Sequence, residues 1–92
     1  MAQGQILVTN SDNSDDYVTI NDLNAAGGPV VAGWSKKRLN ATDKDLPATV
    51  ELDGTGFANV SWYAERTDDP SKNNSKTESP IPAGGTIFPS AQ

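Results

Sequence analysis

Four side chains with oxygen or amide groups, Asn10, Asp12, Ser14 and Asp16, fall at alternate positions of one short segment. That is the spacing of the oxygen ligands that open a calcium-binding loop. The rest of the pattern is missing. Asp15 stands at the sixth position, where the sharp turn requires glycine, and Asn21 at the twelfth, where a bidentate glutamate belongs. The segment reads first as an Asx-rich turn, with a weak calcium site as its one metal chemistry and no cofactor expected.

Little other chemistry is open to the chain, because it contains neither histidine nor cysteine. Without them there is no Ser/His/Asp or Cys/His catalysis, no structural zinc and no disulfide framework. Carboxylate pairs remain, since there are twelve acidic residues. A hydrolytic pair needs a substantial cleft with one carboxyl in an apolar setting, and a small turn-rich β domain offers little room for one. The expectation is a protein that binds and does not catalyse.

Two groups of side chains are candidates for binding. Tyr63 shares the parity of Asn59 and Ser61, so a ring, an amide and a hydroxyl project from one side of a strand. Such a face suits a sugar, with Trp34 as a second ring, although strand aromatics more often pack on their neighbours. The second group is basic. Lys36, Lys37, Arg38 and Lys44 supply four of the seven basic residues within nine positions, while residues 1–35 hold Asp12, Asp15, Asp16 and Asp22 and no base. With Asp68 and Asp69 in a later polar segment, this separation of charge suits docking of one protein surface on another, or of one copy on the next.

The elements that must position these residues are short strands. Residues 5–9 and 17–20 are apolar and β-branched, and the Asx-rich turn joins them. Residues 30–34 read as a third strand, with Gly33 marking a bulge or close backbone approach, and a long loop follows over 35–47. Residues 49–52 and 57–64 flank Asp53-Gly54-Thr55-Gly56 and predict a hairpin, with Val50 and Leu52 on one face and Ala58, Val60, Trp62 and Ala64 inward. Residues 65–80 have no apolar side chain other than prolines and predict a long polar loop, before a last strand at 86–88. Only 20–26 could support a turn or two of helix. The sum is an all-β chain, a small β-sandwich or Greek-key barrel of five or six strands with long polar loops, in a single domain over residues 1–92.

Composition agrees with that class. Apolar residues make up 35% of the 92, and eight glycines with six prolines point to turns. The net charge of −5 repels nucleic-acid phosphates and anionic headgroups, so no nucleic-acid partner is expected. No run approaches the roughly 20 apolar residues that span a bilayer, and no basic and apolar leader opens the sequence. A soluble protein without membrane insertion is expected, and the compartment stays open. Three N-x-S/T patterns, at Asn40, Asn59 and Asn73, are read as products of an Asn/Ser/Thr-rich composition.

The sequence thus favours a non-catalytic structural or docking module that joins a larger protein assembly or a homo-oligomer, as a virion or phage decoration protein does. The alternative is a carbohydrate-binding module using Tyr63, Asn59, Ser61 and Trp34. A weaker one is a protein inhibitor that presents the 65–80 loop.

Overall fold

The computed structural model describes residues 2–91, which form seven strands in two sheets. In chain order the strands are β1 (Ala2–Val8), β2 (Asp16–Asp22), β3 (Lys37–Leu39), β4 (Leu46–Leu52), β5 (Phe57–Arg66), β6 (Asn73–Pro82) and β7 (Thr86–Ile87). One sheet has the order β4-β1-β7 and the other β3-β2-β5-β6. Every pairing is antiparallel except that of β1 with β7. The architecture is a small all-β sandwich.

Period-two alternation builds the interior. Along β2, Val18 and Ile20 are fully buried while Tyr17, Thr19 and Asn21 are only partly covered. Along β5, Ala58, Val60, Trp62 and Ala64 point inward against them. Ile6 and Val8 of β1, Ala48 and Val50 of β4 and Ile87 of β7 close the core from the other sheet. Trp34 inserts from a loop, and its indole N–H donates to the Pro47 carbonyl at 3.2 Å, so the largest buried side chain is tied to β4.

Several local expectations are revised by tertiary pairing. The turn at Asp53 forms, with the Gly56 N–H donating to the Asp53 carbonyl at 3.0 Å and φ of +87° at Gly56. Its arms then part. β4 pairs with β1, whereas β5 lies between β2 and β6. In one sheet the Val50 and Val60 stripes would lie side by side and need a third layer to cover them; in opposite sheets they cover each other. Residues 30–34 are not a strand. A single bridge joins Val30 to Asn21, and the Trp34 N–H then closes a turn onto the Val31 carbonyl at 2.9 Å, with φ of +83° at Gly33. Gly33 is thus a turn residue rather than a bulge, and it swings Trp34 into the core. The 35–47 loop is interrupted by β3.

The 20–26 segment forms no helix. β2 continues to Asp22, whose carboxylate accepts from the Asn24 N–H at 3.0 Å and the Glu51 N–H at 2.8 Å. Side-chain acceptors of this kind compete with helical bonding. The largest revision is at 65–80. Instead of a loop, the chain finishes β5, turns, and returns as the ten-residue β6. β6 is an edge strand exposed on both faces for most of its length, so no apolar alternation marks it. An inhibitor reading loses its presenting loop with this pairing.

Candidate functional site

The outer face of the four-stranded sheet gathers polar side chains in cross-strand rows. Tyr17 of β2 lies between Arg38 of β3 and Glu65 of β5; Thr19 lies opposite Tyr63, itself opposite Ser75 of β6; Asn21 lies opposite Ser61, itself opposite Thr77. A shallow depression of about 410 Å³ opens here, with Asn21, Ser61, Tyr63, Ser75 and Thr77 in its lining. Tyr63 is 39% exposed and offers a ring beside three hydroxyls and one amide. Ser75, Thr77 and Asn21 were not among the candidates read from sequence. Only the β2–β5–β6 register brings them to Tyr63, and nothing local to β6 announces a strand.

Other sugar candidates are placed differently. Asn59 shares the face of Ser61 and Tyr63, but its amide nitrogen donates to Asn24 at 2.9 Å and Asp53 at 3.3 Å, and its oxygen accepts from the Ser79 hydroxyl. It braces the Asp53 turn. Trp34 is buried and presents no ring to solvent.

The basic cluster is spread over two faces, and two of its four cations are ion-paired in place. Lys36 Nζ lies 3.6 Å from Glu65 Oε1 on the outer face. Lys37 holds its ammonium 5.7 Å from the centre of the Trp34 ring. Arg38 pairs with Asp15 at 2.6 Å and donates to Asn40 at 3.0 Å. The Ala41 N–H and then the Arg38 guanidinium hold the Asp15 carboxyl below its usual range. Lys44 is exposed in the β3–β4 loop. In the β5–β6 turn, Asp68 meets Arg66 at 3.3 Å, and Asp69 accepts from the Ser71 hydroxyl at 2.6 Å, which lowers its pKa.

The Asx-rich segment folds as a self-bonded turn. Asn10 donates to the Ser14 carbonyl at 2.7 Å and the Leu39 carbonyl at 3.1 Å, and accepts from the Asp12 N–H at 2.9 Å. Asp12 accepts from the Ser14 N–H at 3.0 Å and the Ala91 N–H at 3.2 Å. Asp16 is fully buried and neither carboxyl oxygen has a donor. Burial, and then the Asp12 carboxyl beside it, push Asp16 up to about 7. Burial alone would raise Asp12 as well, but hydrogen bonds, those with Asp16 and the Ser14 N–H foremost, carry it below its ordinary value. A protonated Asp16 donating toward Asp12 is the arrangement this chemistry favours. Among the described residues no three acidic side chains converge.

The open edge of β6 is the remaining feature. In β2, Ile20 gives its N–H to the Trp34 carbonyl and its carbonyl to the Val31 N–H, both away from β5. Alternation then turns Thr19 and Asn21 toward β5, and turns Trp62 and Ala64 of β5 toward β6. The Arg66 N–H donating to the Lys72 carbonyl at 3.0 Å has the same parity. Lys76, opposite Trp62, therefore bonds inward, while Ser75 and Thr77 direct their backbone N–H and C=O groups away from the sheet, where no strand follows.

No helix among the described residues is long and apolar enough to cross a membrane. The chain matches no protein-family model, no curated protein and no solved structure.

Proposed function

We propose that the chain is a non-catalytic docking module of a larger protein assembly, engaged through the β6 edge of its four-stranded sheet. The observation that carries this reading is the unpaired backbone of Ser75 and Thr77 on a ten-residue edge strand. An extended edge of this kind takes up another strand by main-chain hydrogen bonds. The basic and acidic side chains first considered for docking are mostly engaged within the molecule, so the edge, more than the Lys36 to Arg38 cluster, becomes the docking surface. A virion or phage decoration protein is one instance of the class.

Thr77→Pro tests the reading. Proline removes an N–H that points to solvent and leaves the ladder with β5 intact. A tagged wild-type chain purified from its native source recovers a stoichiometric assembly, and the proline variant, with unchanged near-ultraviolet circular dichroism, does not. Recovery of no assembly, or of the same one by both chains, contradicts the proposal.

The depression at Tyr63 supports a second reading, a carbohydrate module in which the ring packs on a sugar C–H face and Ser61, Ser75 and Thr77 bond hydroxyls, with the Asn21 amide oxygen as a further acceptor, its nitrogen already donating to the Gly28 carbonyl at 2.9 Å. Trp34 is buried, and Trp62, in the lining of the depression, is only 4% exposed, so a direct contact readout is preferred to fluorescence. Saturation-transfer NMR against a glycan panel reports contact directly. No transfer from any glycan, or transfer that Tyr63→Ala leaves unchanged, rejects it.

A further inference from the structure

We propose that the partner of the β6 edge is a second copy of the same chain, joined antiparallel about a twofold axis at Thr77 in a register fixed by reciprocal Lys76–Glu78 pairs. The inference rests on the docking reading and names its partner.

The register follows from alternation and charge. Only residues with outward backbone groups can exchange hydrogen bonds across the new seam, so Ser75 and Thr77 of one copy must meet residues of the same parity in the other. With Thr77 opposite Thr77, Ser75 meets Ser79 and Lys76 meets Glu78, twice by symmetry. Lys76 and Glu78 fall at a pair without backbone bonds, where opposed side chains approach most closely. Sliding by two residues in one direction sets Lys76 against Lys76, and in the other direction sets Glu78 against Glu78. Like charges directly opposite are destabilising, so both neighbouring registers are disfavoured by the same two side chains that favour the central one.

The local chemistry is prepared for this exchange. Lys76 Nζ lies 3.8 Å from Glu78 Oε1 within the strand, and Glu78 also accepts from the Trp62 indole at 3.3 Å, so the carboxylate is held in place before a partner arrives. β6 shifts register against β5 between Glu78 and Ile81, opposite Val60 and Ala58, and this irregularity closes one end of the ladder and keeps the seam short. The seam joins two four-stranded sheets into one continuous sheet, with the Tyr63 depressions of both copies on the same side. Each copy carries a net charge of −5, so long-range repulsion opposes the encounter while the seam itself is charge-neutral.

The test is a charge swap read by light scattering across protein concentration. Wild type doubles in mass with concentration. Lys76→Glu sets Glu against Glu and stays monomeric; Glu78→Lys sets Lys against Lys and stays monomeric. An equimolar mixture of the two variants forms a heterodimer, because each now presents what the other lacks. The double variant K76E/E78K restores the homodimer and places its carboxylate at position 76, directly across from Trp62. Near-ultraviolet circular dichroism confirms the fold of each chain. A wild type that is monomeric at every concentration overturns the proposal and makes Lys76 and Glu78 charges that guard the edge. A dimer that ignores the swaps overturns it as well, by placing the contact elsewhere. A monomer whose native assembly still depends on Thr77 overturns self-pairing and leaves the docking module; loss of that dependence overturns both.

Discussion

Asp16 and Arg66 stand directly opposite each other in the β2–β5 ladder, yet Arg66 turns to Asp68 at 3.3 Å and leaves the fully buried Asp16 carboxyl without a donor. An arginine of the same parity across the ladder does not suffice to keep the acid ionised. Burial and the neighbouring Asp12 outweigh it, and Asp16 is pushed up to about 7.

That shift sets a pH dependence of stability. In the unfolded chain Asp16 ionises near pH 4, whereas the folded chain holds its proton until about 7. Between these values the folded state binds more protons, so stability falls as pH rises and levels off above neutrality. Thermal melts should show a lower Tm at pH 8 than at pH 5, and Asp16→Asn should remove most of that slope and raise Tm at pH 8. An equal slope in the variant would assign the effect to another group.

Asp53 produces the opposite limb. The Thr55 hydroxyl, then the Phe57 and Thr55 N–H groups, hold its pKa at about 2. Its contribution is complete above pH 4 and is lost as pH falls toward 2. Asp53→Asn should flatten the acid side of the stability profile and leave the slope between pH 5 and 8 unchanged.

Trp34 should be the costliest single truncation. It is 2% exposed and spans from the Val31 turn to the Pro47 carbonyl. Trp34→Ala should cost about 3–5 kcal/mol, a large part of the stability of a domain this size. Trp34→Phe keeps one six-membered aromatic ring but loses the rest of the indole with its N–H donor to the Pro47 carbonyl, and should cost less than the alanine variant, about 1–3 kcal/mol. Urea denaturation measures both, and near-equal losses would place the energy in the second ring of the indole and its N–H instead of in the remaining aromatic packing.

Gly33 isolates the backbone part of the same turn. Nothing lies within 4 Å of where a Cβ would sit, but φ is +83°. Gly33→Ala should therefore destabilise by about 1 kcal/mol through conformational strain alone, whereas Ala32→Gly, at the neighbouring position, should change stability by less than about that amount.

The inward stripes were legible because each has one wet and one dry face: Ile6 with Val8, Val18 with Ile20, and Val60 with Trp62 alternate as a half-buried strand must. β6 was not legible for the same physical reason. Ser75, Lys76 and Thr77 are all exposed, so there is no period to detect. The Asp53 turn was visible in its Asp and Gly residues, but turn chemistry acts over four residues and does not say which sheet each arm joins. Val30 and Val31 looked like neighbours in one strand; the structure leaves Val30 44% exposed and buries Val31, with Gly33 making the turn. Of the candidate site, Tyr63 and Ser61 could be read from parity alone, while Asn21, Ser75 and Thr77 required the pairing of three strands.

Tyr63→Ala separates the outer face from the fold. The ring is partly exposed and stands outside the core, so the variant should lose well under the about 3–5 kcal/mol of a buried aromatic while abolishing any ligand contact at the depression. Urea denaturation beside the glycan NMR screen checks both halves. A large stability loss would make Tyr63 a packing residue of the sheet.

The most direct measurement is amide hydrogen exchange along β6, read residue by residue in dilute and concentrated protein. The account predicts that Lys76, bonded to β5, is protected at both concentrations, while Ser75 and Thr77 exchange freely when dilute and gain protection together when the protein is concentrated. Free exchange of Ser75 and Thr77 at every concentration would contradict docking of a second copy at this edge, and rapid exchange of Lys76 would contradict the alternation on which the edge itself is built.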